Sequence, residues 1–405
     1  MLNIENIQPV IIGTDVNAYG VARAFHTEYG LKSKLFGSSK LLMVDHSAIC
    51  NVTEVADFQK DSVMVETLMT YSKNNPEKQL VLLAASEQYV FRLLEHYDDL
   101  KDYYTIPYST PELGLKLSDK MNFYSYCEKY GLDYPLANTV SRENHSSFSF
   151  DIEYPVILKP TESNDYFNLD FPGKEKAYII QNENQLHKKL GAIYATDYKH
   201  DMIIQEYIPG DTTNEYVMNT YSDSNGHVKL LSLGRIAVED PQPEMRGNYL
   251  SIISPKKTDA PKELYEKVKS FLESINFTGL ANFDFKYDSR DGKFKAFEIN
   301  LRQGRSSFFS VLAGANFAIP IVNELLGESD QNDLMIGEDD FLWINCHKKS
   351  IYRILKDTDP AIYNRARVMK NVGDTLTYSK DKNIVRTLKI KKYYHTVDKR
   401  LKQYS

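Results

Sequence analysis

The sequence predicts a chain of several domains, in which an α/β unit with an open parallel sheet precedes a larger α+β region. Three observations support this fold class. The 405 residues exceed the length of one small domain. Strand and helix patterns alternate near the N-terminus, as they do in parallel sheets. Strand patterns then dominate residues 215–300, and the contents of hydrophobic residues (42%) and charged residues (26%) are typical of a soluble globular protein.

The first predicted domain spans residues 1–115. It begins with a buried strand at 9–12, turn residues at 13–17 and a helical pattern at 19–29. A second apolar run at 80–84 is followed by another helical pattern. This alternation favours an open parallel sheet with helices packed on it.

Residues 116–210 form the second predicted domain. A helix is predicted to start near Ser118 and to end near Gly131. Two short strands follow, at 154–160 and at 201–208, and each is stopped by proline. Proline ends a strand because it has no N–H to donate to the sheet.

The third and fourth predicted domains span residues 211–330 and 331–405. The third contains mostly strands, with one helix at 261–275. The fourth is a loosely patterned, basic C-terminal extension. From residue 347 onward there are 16 Lys or Arg against 5 Asp, a net charge of +11 within a chain whose total is -6. This extension suits an anionic partner, or it is a solvated basic face that balances an acidic body.

Several classes of protein are excluded by the composition. No apolar run approaches the roughly 20 residues that span a bilayer, and residues 1–6 lack the features of a signal peptide. Cys50, Cys127 and Cys346 have no metal-like spacing, and their sparse, odd number suits a reducing compartment. We therefore expect a cytoplasmic protein without a transmembrane segment, for which peripheral membrane contact stays open. The sequence carries no signal for an oligomeric state.

A predicted hairpin between residues 279 and 300 carries the first candidate site. If its turn has three or five residues, Asp284 faces Ala296, and Asp284, Glu298 and Asn300 share one face of the hairpin. A two-residue turn would place the two acids on opposite faces. The prediction of a shared site therefore depends on a turn of odd length.

Two acids and an amide on one sheet face indicate a magnesium site. Neighbouring carboxylates repel each other, and a divalent cation removes that repulsion. Magnesium prefers oxygen ligands and commonly bridges protein carboxylates to nucleotide phosphates. The alternative is a solvated polar face on a half-buried hairpin, which is common.

Two lysines upstream suit phosphate groups. Lys120 lies at the start of a predicted helix, and Lys159 lies at the end of a predicted strand. An ammonium group is a compact positive charge that binds phosphate oxygens well. Either lysine alone is more typical of a solvated surface.

A strand that is broken after Glu206, Tyr207 and Ile208 suits a nucleoside. Pro209-Gly210 stops this strand. A peptide segment left unpaired there can offer a carbonyl and an N–H to the edge of adenine. Glu215 follows the break, where an acid can accept hydrogen bonds from ribose hydroxyls. The alternative for Glu206 is a surface acid at a turn.

In this order, the candidate residues resemble the nucleotide-binding series of the ATP-grasp superfamily. They are Lys120, Lys159, residues 206–208, Glu215, Asp284, Glu298 and Asn300. The resemblance spans about residues 115 to 310, and the first domain resembles the Rossmann-like α/β domain that precedes an ATP-grasp fold. It implies that the chain binds ATP with Mg²⁺, with two ions expected and Mn²⁺ as a substitute.

The resemblance also implies an ADP-forming carboxylate–amine ligase. Such enzymes transfer the γ-phosphoryl group of ATP to a carboxylate, and an amine then attacks the acyl phosphate. Lys159, Arg302 and Arg305 are the expected catalytic residues, since they can stabilise the acyl phosphate and the oxyanion. Arg235 is a further phosphate candidate. Each arginine is equally compatible with a structural ion pair.

One departure from the superfamily concerns the phosphate lid. Many ATP-grasp enzymes carry a glycine-rich loop after the lysine that corresponds to Lys159. In this sequence, residues 161–176 contain a single glycine, Gly173. Cradling of phosphate by consecutive backbone N–H groups is therefore not evident. Its substitutes are expected among Ser163, Asn164, Lys174 and Lys176.

A nearer resemblance is to the D-aspartate ligases of Gram-positive bacteria. It rests on the segments 13–15, 22–26 with Tyr29-Gly30, 171–178 and 297–305. It implies that D-aspartate is joined through its β-carboxylate to the lysine side chain of a UDP-MurNAc-pentapeptide, a UDP-linked peptidoglycan precursor. The basic C-terminal extension suits such an anionic acceptor.

Other interpretations stay open to different degrees. A dinucleotide oxidoreductase is disfavoured because residues 13–20 lack the G-x-G-x-x-G spacing. An L-amino-acid or dipeptide ligase, a phosphotransferase, or an ATP-binding regulator could use the same fold. Nucleic-acid binding is not expected, since the acidic body would repel phosphate backbones.

Overall fold

The N-terminal part of the computed structural model is an α/β unit with four parallel strands. The structure describes residues 3–149, 151–242, 245, 247–255, 262–330 and 332–404. The strands are β1 (Ile7–Ile12), β2 (Ser33–Gly37), β3 (Cys50–Glu54) and β4 (Gln79–Ala84). They pair in the order β3-β2-β1-β4. The open parallel sheet predicted from the sequence is confirmed.

Six helices of this region surround the sheet or lead out of it. They are α1 (Val16–Tyr29), α2 (Asp61–Lys73), α3 (Glu87–Glu95), α4 (Tyr97–Leu100), α5 (Pro111–Ser118) and α6 (Lys120–Tyr130). The carboxylate of Asp15 caps α1 by accepting from the Ala18 N–H at 3.0 Å. Gly30 ends α1 with φ of 69°, a conformation that glycine adopts at little cost.

The middle part of the chain forms a four-stranded antiparallel sheet with its own apolar core. Its elements are β5 (Ala137–Val140), β6 (Val156–Pro160), α7 (Ser163–Phe167), β7 (Tyr178–Ile180), α8 (Glu183–Tyr194) and β8 (Met202–Glu206). The strands pair in the order β5-β8-β6-β7. The apolar sides of β6 and β8 pack against α8, which buries Leu158, Ile204 and Leu190. The polar positions of these strands are thereby left for the opposite face.

An eight-stranded sheet carries the rest of the chain. Its strands are β9 (Glu215–Ser222), β10 (Val228–Glu239), β11 (Tyr249–Ile253), β12 (Gly279–Asp288), β13 (Lys293–Asn300), β14 (Met335–Ile336), β15 (Leu342–Ile344) and β16 (Val372–Asp374). The order is β13-β12-β9-β10-β11-β15-β16, and β14 pairs with β10. Its helices are α9 (Lys262–Ser274), α10 (Phe308–Leu312), α11 (Ala318–Leu326), α12 (Lys348–Thr358), α13 (Pro360–Val368) and α14 (Ile384–Tyr404).

The C-terminal segment is folded and integrated. Its strands β15 and β16 extend the large sheet beyond β11. Asp381, just before α14, accepts from Tyr19 OH of α1 at 2.8 Å and pairs with Arg386 at 3.2 Å. The segment therefore joins the large sheet to the N-terminal unit. The division into residues 1–115, 116–210, 211–330 and 331–405 stays a prediction.

The hairpin β12–β13 has a register that differs from the predicted one. Asp288 pairs with Lys293, so the turn has four residues and an even length. A turn of even length should separate the two acids, but a β-bulge at Phe297 adds one residue to β13. Without the bulge this turn would pair Asp284 with Phe297, and the bulge shifts the pairing so that Asp284 faces Glu298. The predicted odd turn is wrong, and the bulge restores the shared face.

The opposite face of this hairpin is anchored in the core. Phe283 and Phe285 are fully buried and stack with their ring centroids 5.7 Å apart. Phe123 of α6 and Phe271 of α9 lie 6.3 Å and 6.2 Å from the Phe283 ring. Burying a phenylalanine side chain contributes about 1.5–3 kcal/mol, so this cluster fixes which face of β12 carries Asp284. Within the described ranges, no helix is long and apolar enough to cross a membrane.

Candidate active site

Asp284, Glu298 and Asn300 lie side by side on the hairpin. Asn300 Nδ2 donates to Asp284 Oδ2 at 3.2 Å, and the carboxyl groups of Asp284 and Glu298 are in hydrogen-bonding contact. Tyr249 of β11 donates its hydroxyl to Asp284 Oδ1 at 3.4 Å. The structure thus brings together the three residues that the sequence analysis assigned to a metal site.

The two carboxyl groups of this cluster have opposite pKa shifts. Burial raises the pKa of Asp284 well above its usual range, and the Glu298 charge raises it further. The pKa of Glu298 is lowered because Lys120 Nζ lies 3.0 Å from Glu298 Oε2. When two carboxyl groups are in contact, repulsion favours the state in which only one is ionised. Ionisation of both requires a cation beside them.

This donor set fits magnesium that is shared with a nucleotide. Among the residues the structure describes, no group of three or more His, Cys, Asp or Glu side chains could hold a metal ion by itself. Two carboxylates and an amide oxygen leave coordination positions to be filled. Magnesium typically binds to one or two protein carboxylates and completes its shell with phosphate oxygens and water.

Lys120 and Lys159 lie beside the carboxylates. Lys159 Nζ, on β6, donates to the Gln205 side chain of β8. Burial and the positive charge of Lys120 together lower the pKa of Lys159 to about 7, against an opposing effect of Glu298. Lys159 therefore lies where an additional anion is needed to stabilise its charge. A phosphate group would supply that charge.

The predicted nucleoside residues are connected through Lys286 to Asp284, Glu298 and Asn300, the three predicted metal ligands, hereafter called the metal cluster. Lys286 follows Asp284 by two residues on β12, so their side chains share a face. Lys286 Nζ lies 4.0 Å from Glu215 Oε1 and 6.0 Å from the centre of the Tyr207 ring. Burial raises the pKa of Glu215 to about 7, although Lys286 opposes this shift. The break after β8 and Glu215 thus lie together along the face that carries Asp284.

Glu206 has local partners at the end of β8. Its carboxylate pairs with Arg290 of the hairpin turn at 2.5 Å and accepts from the Leu136 N–H at 3.2 Å. Ile208 is buried directly after the strand. Glu206 therefore also fastens the middle sheet to the hairpin turn, which agrees with the structural alternative for this acid.

A cavity of about 300 Å³ opens beside the metal cluster. Asp284, Glu298, Asn300, Arg302 and Arg305 line it. A second cavity, of about 150 Å³, also contacts Glu298 and Asn300 and is lined by Lys120 and Glu87. The predicted catalytic arginines and the predicted metal ligands therefore share one open space.

The two arginines differ in how they are held. Arg305 Nη1 donates to the Asn248 side chain at 2.9 Å, and Arg302 Nη1 donates to the Gln303 carbonyl at 3.1 Å. Within the part of the chain that is described, the buried Arg302 Nε has no hydrogen-bond partner. Both arginines oppose the increase in pKa that burial causes at Asp15, the cap of α1. An anion placed in the cavity would meet two cations.

Arg235 is not part of this group. Its Nε donates to the Thr213 carbonyl at 2.6 Å, and its guanidinium lies 6.0 Å from the centre of the Tyr216 ring. Among the described residues, it lines neither cavity at the metal cluster. Its predicted phosphate role therefore has no support from these contacts.

The segment after Lys159 carries helix α7 and no run of glycines. Lys174 Nζ donates to the backbone carbonyls of Phe167 and Leu169. Lys174 therefore ties this segment to itself. The predicted contacts of Ser163 and Asn164 lie outside the described side chains, and no contact of Lys176 bears on its predicted role.

Several residues of the site were missed in the sequence. Gln205 is a buried polar residue within an apolar strand, and that irregularity is a signal the pattern does contain. Tyr249, Asn248 and Arg400 reach the cavity from distant segments. No spacing rule could place them there.

The comparisons with known proteins agree with this architecture. No protein-family model matches the chain. A D-aspartate ligase of Enterococcus faecium (strain Aus0004) is 36% identical over 418 residues, which cover 100% of this chain and 98% of that protein.

Solved structures with a similar fold are more distant in sequence. N5-carboxyaminoimidazole synthetase from Staphylococcus aureus has a TM-score of 0.59 at 16% identity, with 87% of this chain and 85% of that chain covered. An ADP complex of an N5-carboxyaminoimidazole ribonucleotide synthetase has a TM-score of 0.60 at 14% identity, with 98% of each chain covered. An L-amino acid ligase from Bacillus licheniformis has a TM-score of 0.55 at 15% identity, with 81% of this chain and 77% of that chain covered.

The structural likenesses confirm the predicted ATP-grasp fold. The full-length identity to one curated enzyme, and not the fold, establishes the family. This chain belongs to the D-aspartate ligase family and is an ATP-grasp carboxylate–amine ligase.

Proposed function

We propose that this enzyme joins the β-carboxylate of D-aspartate to the lysine side chain of a UDP-MurNAc-pentapeptide, with hydrolysis of ATP to ADP and phosphate. The observation that carries the proposal is the cavity in which Asp284 and Glu298 lie beside Arg302 and Arg305. One cavity lined by carboxylates that could bind a metal and by cations that could bind an acyl phosphate supports this proposal. The 36% identity to a D-aspartate ligase supports the choice of amino acid.

ATP is proposed to lie along the face of β12. Glu215 and the break at residues 206–208 bind the nucleoside, and Lys120 and Lys159 bind phosphate oxygens. The ammonium of Lys159, whose pKa is lowered to about 7 by burial, regains its charge when a phosphate is beside it. Asp284, Glu298 and Asn300 would hold magnesium, proposed as two ions replaceable by manganese, which would neutralise charge on the phosphates.

The first chemical step forms an acyl phosphate. A β-carboxylate oxygen attacks the γ-phosphorus of ATP, the bond between γ-phosphorus and the bridging oxygen breaks, and ADP leaves. Lys159 neutralises the charge that develops on the transferred group. The guanidinium of Arg302, with its buried unpartnered Nε among the described residues, lies in the cavity where the new phosphate would be held.

The second step forms the amide. The neutral ε-amine of the acceptor lysine attacks the acyl carbon, a tetrahedral oxyanion forms, and inorganic phosphate leaves as the carbonyl is restored. The attacking nitrogen loses one proton, and phosphate accepts it. Arg302 and Arg305 stabilise the oxyanion and the leaving phosphate. Removal of one such donor from a preorganised site typically lowers kcat by about 10²- to 10³-fold.

The acceptor is proposed to be a UDP-linked, multiply anionic peptide, a precursor of peptidoglycan. The reaction is proposed to take place in the cytoplasm, where this precursor is made. Its negative charge suits the basic C-terminal segment, where 16 Lys or Arg accompany 5 Asp from residue 347 onward. Peripheral membrane contact through the same segment is compatible with this location.

An ADP-release screen tests this function. The reactions contain MgATP with D-aspartate or L-aspartate, each with the lysine-containing UDP-MurNAc-pentapeptide or with the same peptide acetylated at its lysine ε-amine. We expect ADP release at the full rate only with D-aspartate and the free amine. The acetylated peptide is the matched control, because it keeps every charge except the one at the nucleophile.

Three outcomes would contradict the proposal. Full activity with L-aspartate and the acetylated peptide, which has no free lysine amine, would indicate a dipeptide ligase. ADP with a stable phosphorylated small molecule would indicate a phosphotransferase. ATP binding without any release of ADP in all reactions would indicate a regulator.

A further inference from the structure

The C-terminal segment supplies part of the wall of the larger cavity. Asn345, Tyr393 and Arg400 line the same cavity as Asp284 and Arg302. Asn345 directly follows β15, and Tyr393 and Arg400 lie on α14. The substrate space is therefore completed by residues far beyond the nucleotide-binding series.

This wall is rigidly connected to the metal cluster. Tyr249 contacts Asp284 through its hydroxyl, and the carbonyl of the next residue, Leu250, accepts from the Asn345 N–H at 2.8 Å. Two strand positions thus join Asn345 to a proposed metal ligand. A displacement of β15 would be transmitted to the cluster through β11.

Helix α14 is fixed against the same strands. Val397 and Leu401 are buried in an apolar cluster with Leu250 and Ile344. Tyr393 and Arg400 are seven residues apart, about two helical turns, so they lie on one side of the helix. Arg400 also forms an ion pair with the fully buried Asp240. The guanidinium is therefore held in place by its helix and by a carboxylate.

Two buried polar atoms of this wall lack partners among the residues that the structure describes. Asn345 is 8% exposed and lines the cavity, yet its Oδ1 accepts no hydrogen bond from the described residues. Arg400 Nε likewise has no acceptor within the described ranges. An unsatisfied buried polar group costs about 1–3 kcal/mol, so such groups are typically matched by a ligand or by water. One of these two atoms is an acceptor and the other is a donor.

We propose that Arg400 and Asn345 bind the α-amino-acid head group of the substrate. Arg400 donates to the α-carboxylate, and Asn345 Oδ1 accepts from the α-ammonium, for which the Asp240 carboxylate supplies the balancing charge. The side-chain carboxylate of the same molecule then lies at the Asp284 and Arg302 end of the cavity. This inference rests on the proposed function and adds the residues that select an amino acid.

Aspartate analogues separate the two contacts. β-Alanine is aspartate without its α-carboxylate, and succinate is aspartate without its ammonium. The Arg400→Met variant is expected to lose about 10- to 100-fold in kcat/KM for aspartate, the size of one charge-assisted hydrogen bond. Its kcat/KM for β-alanine should stay as in the wild type, because β-alanine has no group for Arg400 to bind.

Two further variants exclude a purely structural effect. Asp240→Asn combined with Arg400→Met avoids a lone buried carboxylate and keeps the test available if the single variant does not fold. Lys399→Met removes a positive charge from an exposed neighbouring position on α14 and should behave as the wild type. In all variants the KM for ATP should stay within about twofold of the wild-type value.

We expect only the Arg400 variants to lose the preference in kcat/KM for aspartate over β-alanine. Asn345→Leu should instead lose the preference for aspartate over succinate. An equal loss with aspartate and β-alanine, or a change confined to the KM of the peptide acceptor, would overturn the assignment of Arg400. If the wild type released no ADP with aspartate, the proposed function would fail and this inference with it. A wild type that is active and variants that keep its preferences would overturn the inference alone.

Discussion

Nucleotide binding is expected to add a proton to Lys159. Burial and the charge of Lys120 lower the pKa of this ammonium group to about 7. About half of the free protein therefore carries neutral Lys159 at pH 7, and about nine tenths at pH 8. Bound phosphate favours the charged form, so the pKa rises on binding. The contribution of Lys159 to proton uptake should then increase from about 0.1 per nucleotide at pH 6 to about 0.9 at pH 8.

Calorimetry measures this uptake. A non-hydrolysable ATP analogue is titrated with Mg²⁺ present, in buffers that differ in ionisation enthalpy, and the dependence of the heat on buffer gives the number of protons. Lys159→Met should lose the uptake, and its affinity should lack the decrease of up to about tenfold per pH unit that the wild type shows above pH 7. Protonation of the nucleotide itself is common to both proteins and cancels in the difference.

The same shift has a consequence for stability. Because the folded pKa of Lys159 is about 7 and a lysine in water titrates near 10.4, the unfolded chain binds more protons between these values. The free energy of unfolding of the nucleotide-free wild type should thus rise with pH across this window relative to Lys159→Met. Lys199→Met, an exposed lysine of the same sheet region, is the control and should change neither quantity. Equal proton uptake by the wild type and Lys159→Met at pH 8 would show that Lys159 is already charged in the nucleotide-free protein.

Three further predictions concern stability. Burial raises the pKa of Glu215 to about 7, so the folded chain holds an extra proton from about pH 4.5 to 7. The free energy of unfolding of the wild type should therefore fall with pH across that range relative to Glu215→Gln. Urea titrations of both proteins at pH 5 and 7 measure this difference. Arg386→Met should cost about 3–5 kcal/mol in urea unfolding, because it leaves Asp381 buried without its ion-pair partner. Lys389→Met, which removes an exposed ion pair, should cost at most about 1 kcal/mol, and equal losses would contradict the prediction. Phe285→Ala should cost about 3–5 kcal/mol by leaving a cavity beneath the hairpin, whereas a loss below about 1 kcal/mol would contradict that packing.

The shared face of Asp284, Glu298 and Asn300 could be predicted from the sequence, although the predicted turn that led to it was wrong. Alternation along β12 places Asp284 away from the phenylalanines, and this pattern is local. The four-residue turn and the bulge at Phe297 depend on how two strands pair. Two deviations of one residue add up to a register shift of two, which restores the shared face, and alternation alone reveals neither.

The elements that carry the proposed nucleotide-binding residues could also be predicted from the sequence. Lys120 begins α6, Lys159 lies on β6 and Glu215 opens β9, as the local patterns indicated. Their proximity depends on the packing of three separate segments. Arg235 was predicted from its residue type, and it lies on β10 with the Thr213 carbonyl as its partner. Residue type alone does not determine which side chains line the cavity.

The role of the basic C-terminal segment was beyond sequence reasoning. Its composition suggested a charged surface, whereas Arg386 is 1% exposed at the side chain and Arg400 lines the cavity. Both arginines find their carboxylates, Asp381 and Asp240, through tertiary packing of α14. A count of charges cannot separate buried arginines from solvated ones.

The metal site at Asp284 and Glu298 is tested most directly by magnesium-dependent ADP release in Glu298→Gln. Asp291→Asn, which removes an equal charge from the turn of the same hairpin, is the matched control. The account predicts a loss of at least about 100-fold in Glu298→Gln, with an unchanged circular dichroism spectrum, and near wild-type activity in Asp291→Asn. Wild-type ADP release with unchanged magnesium dependence in Glu298→Gln would contradict it.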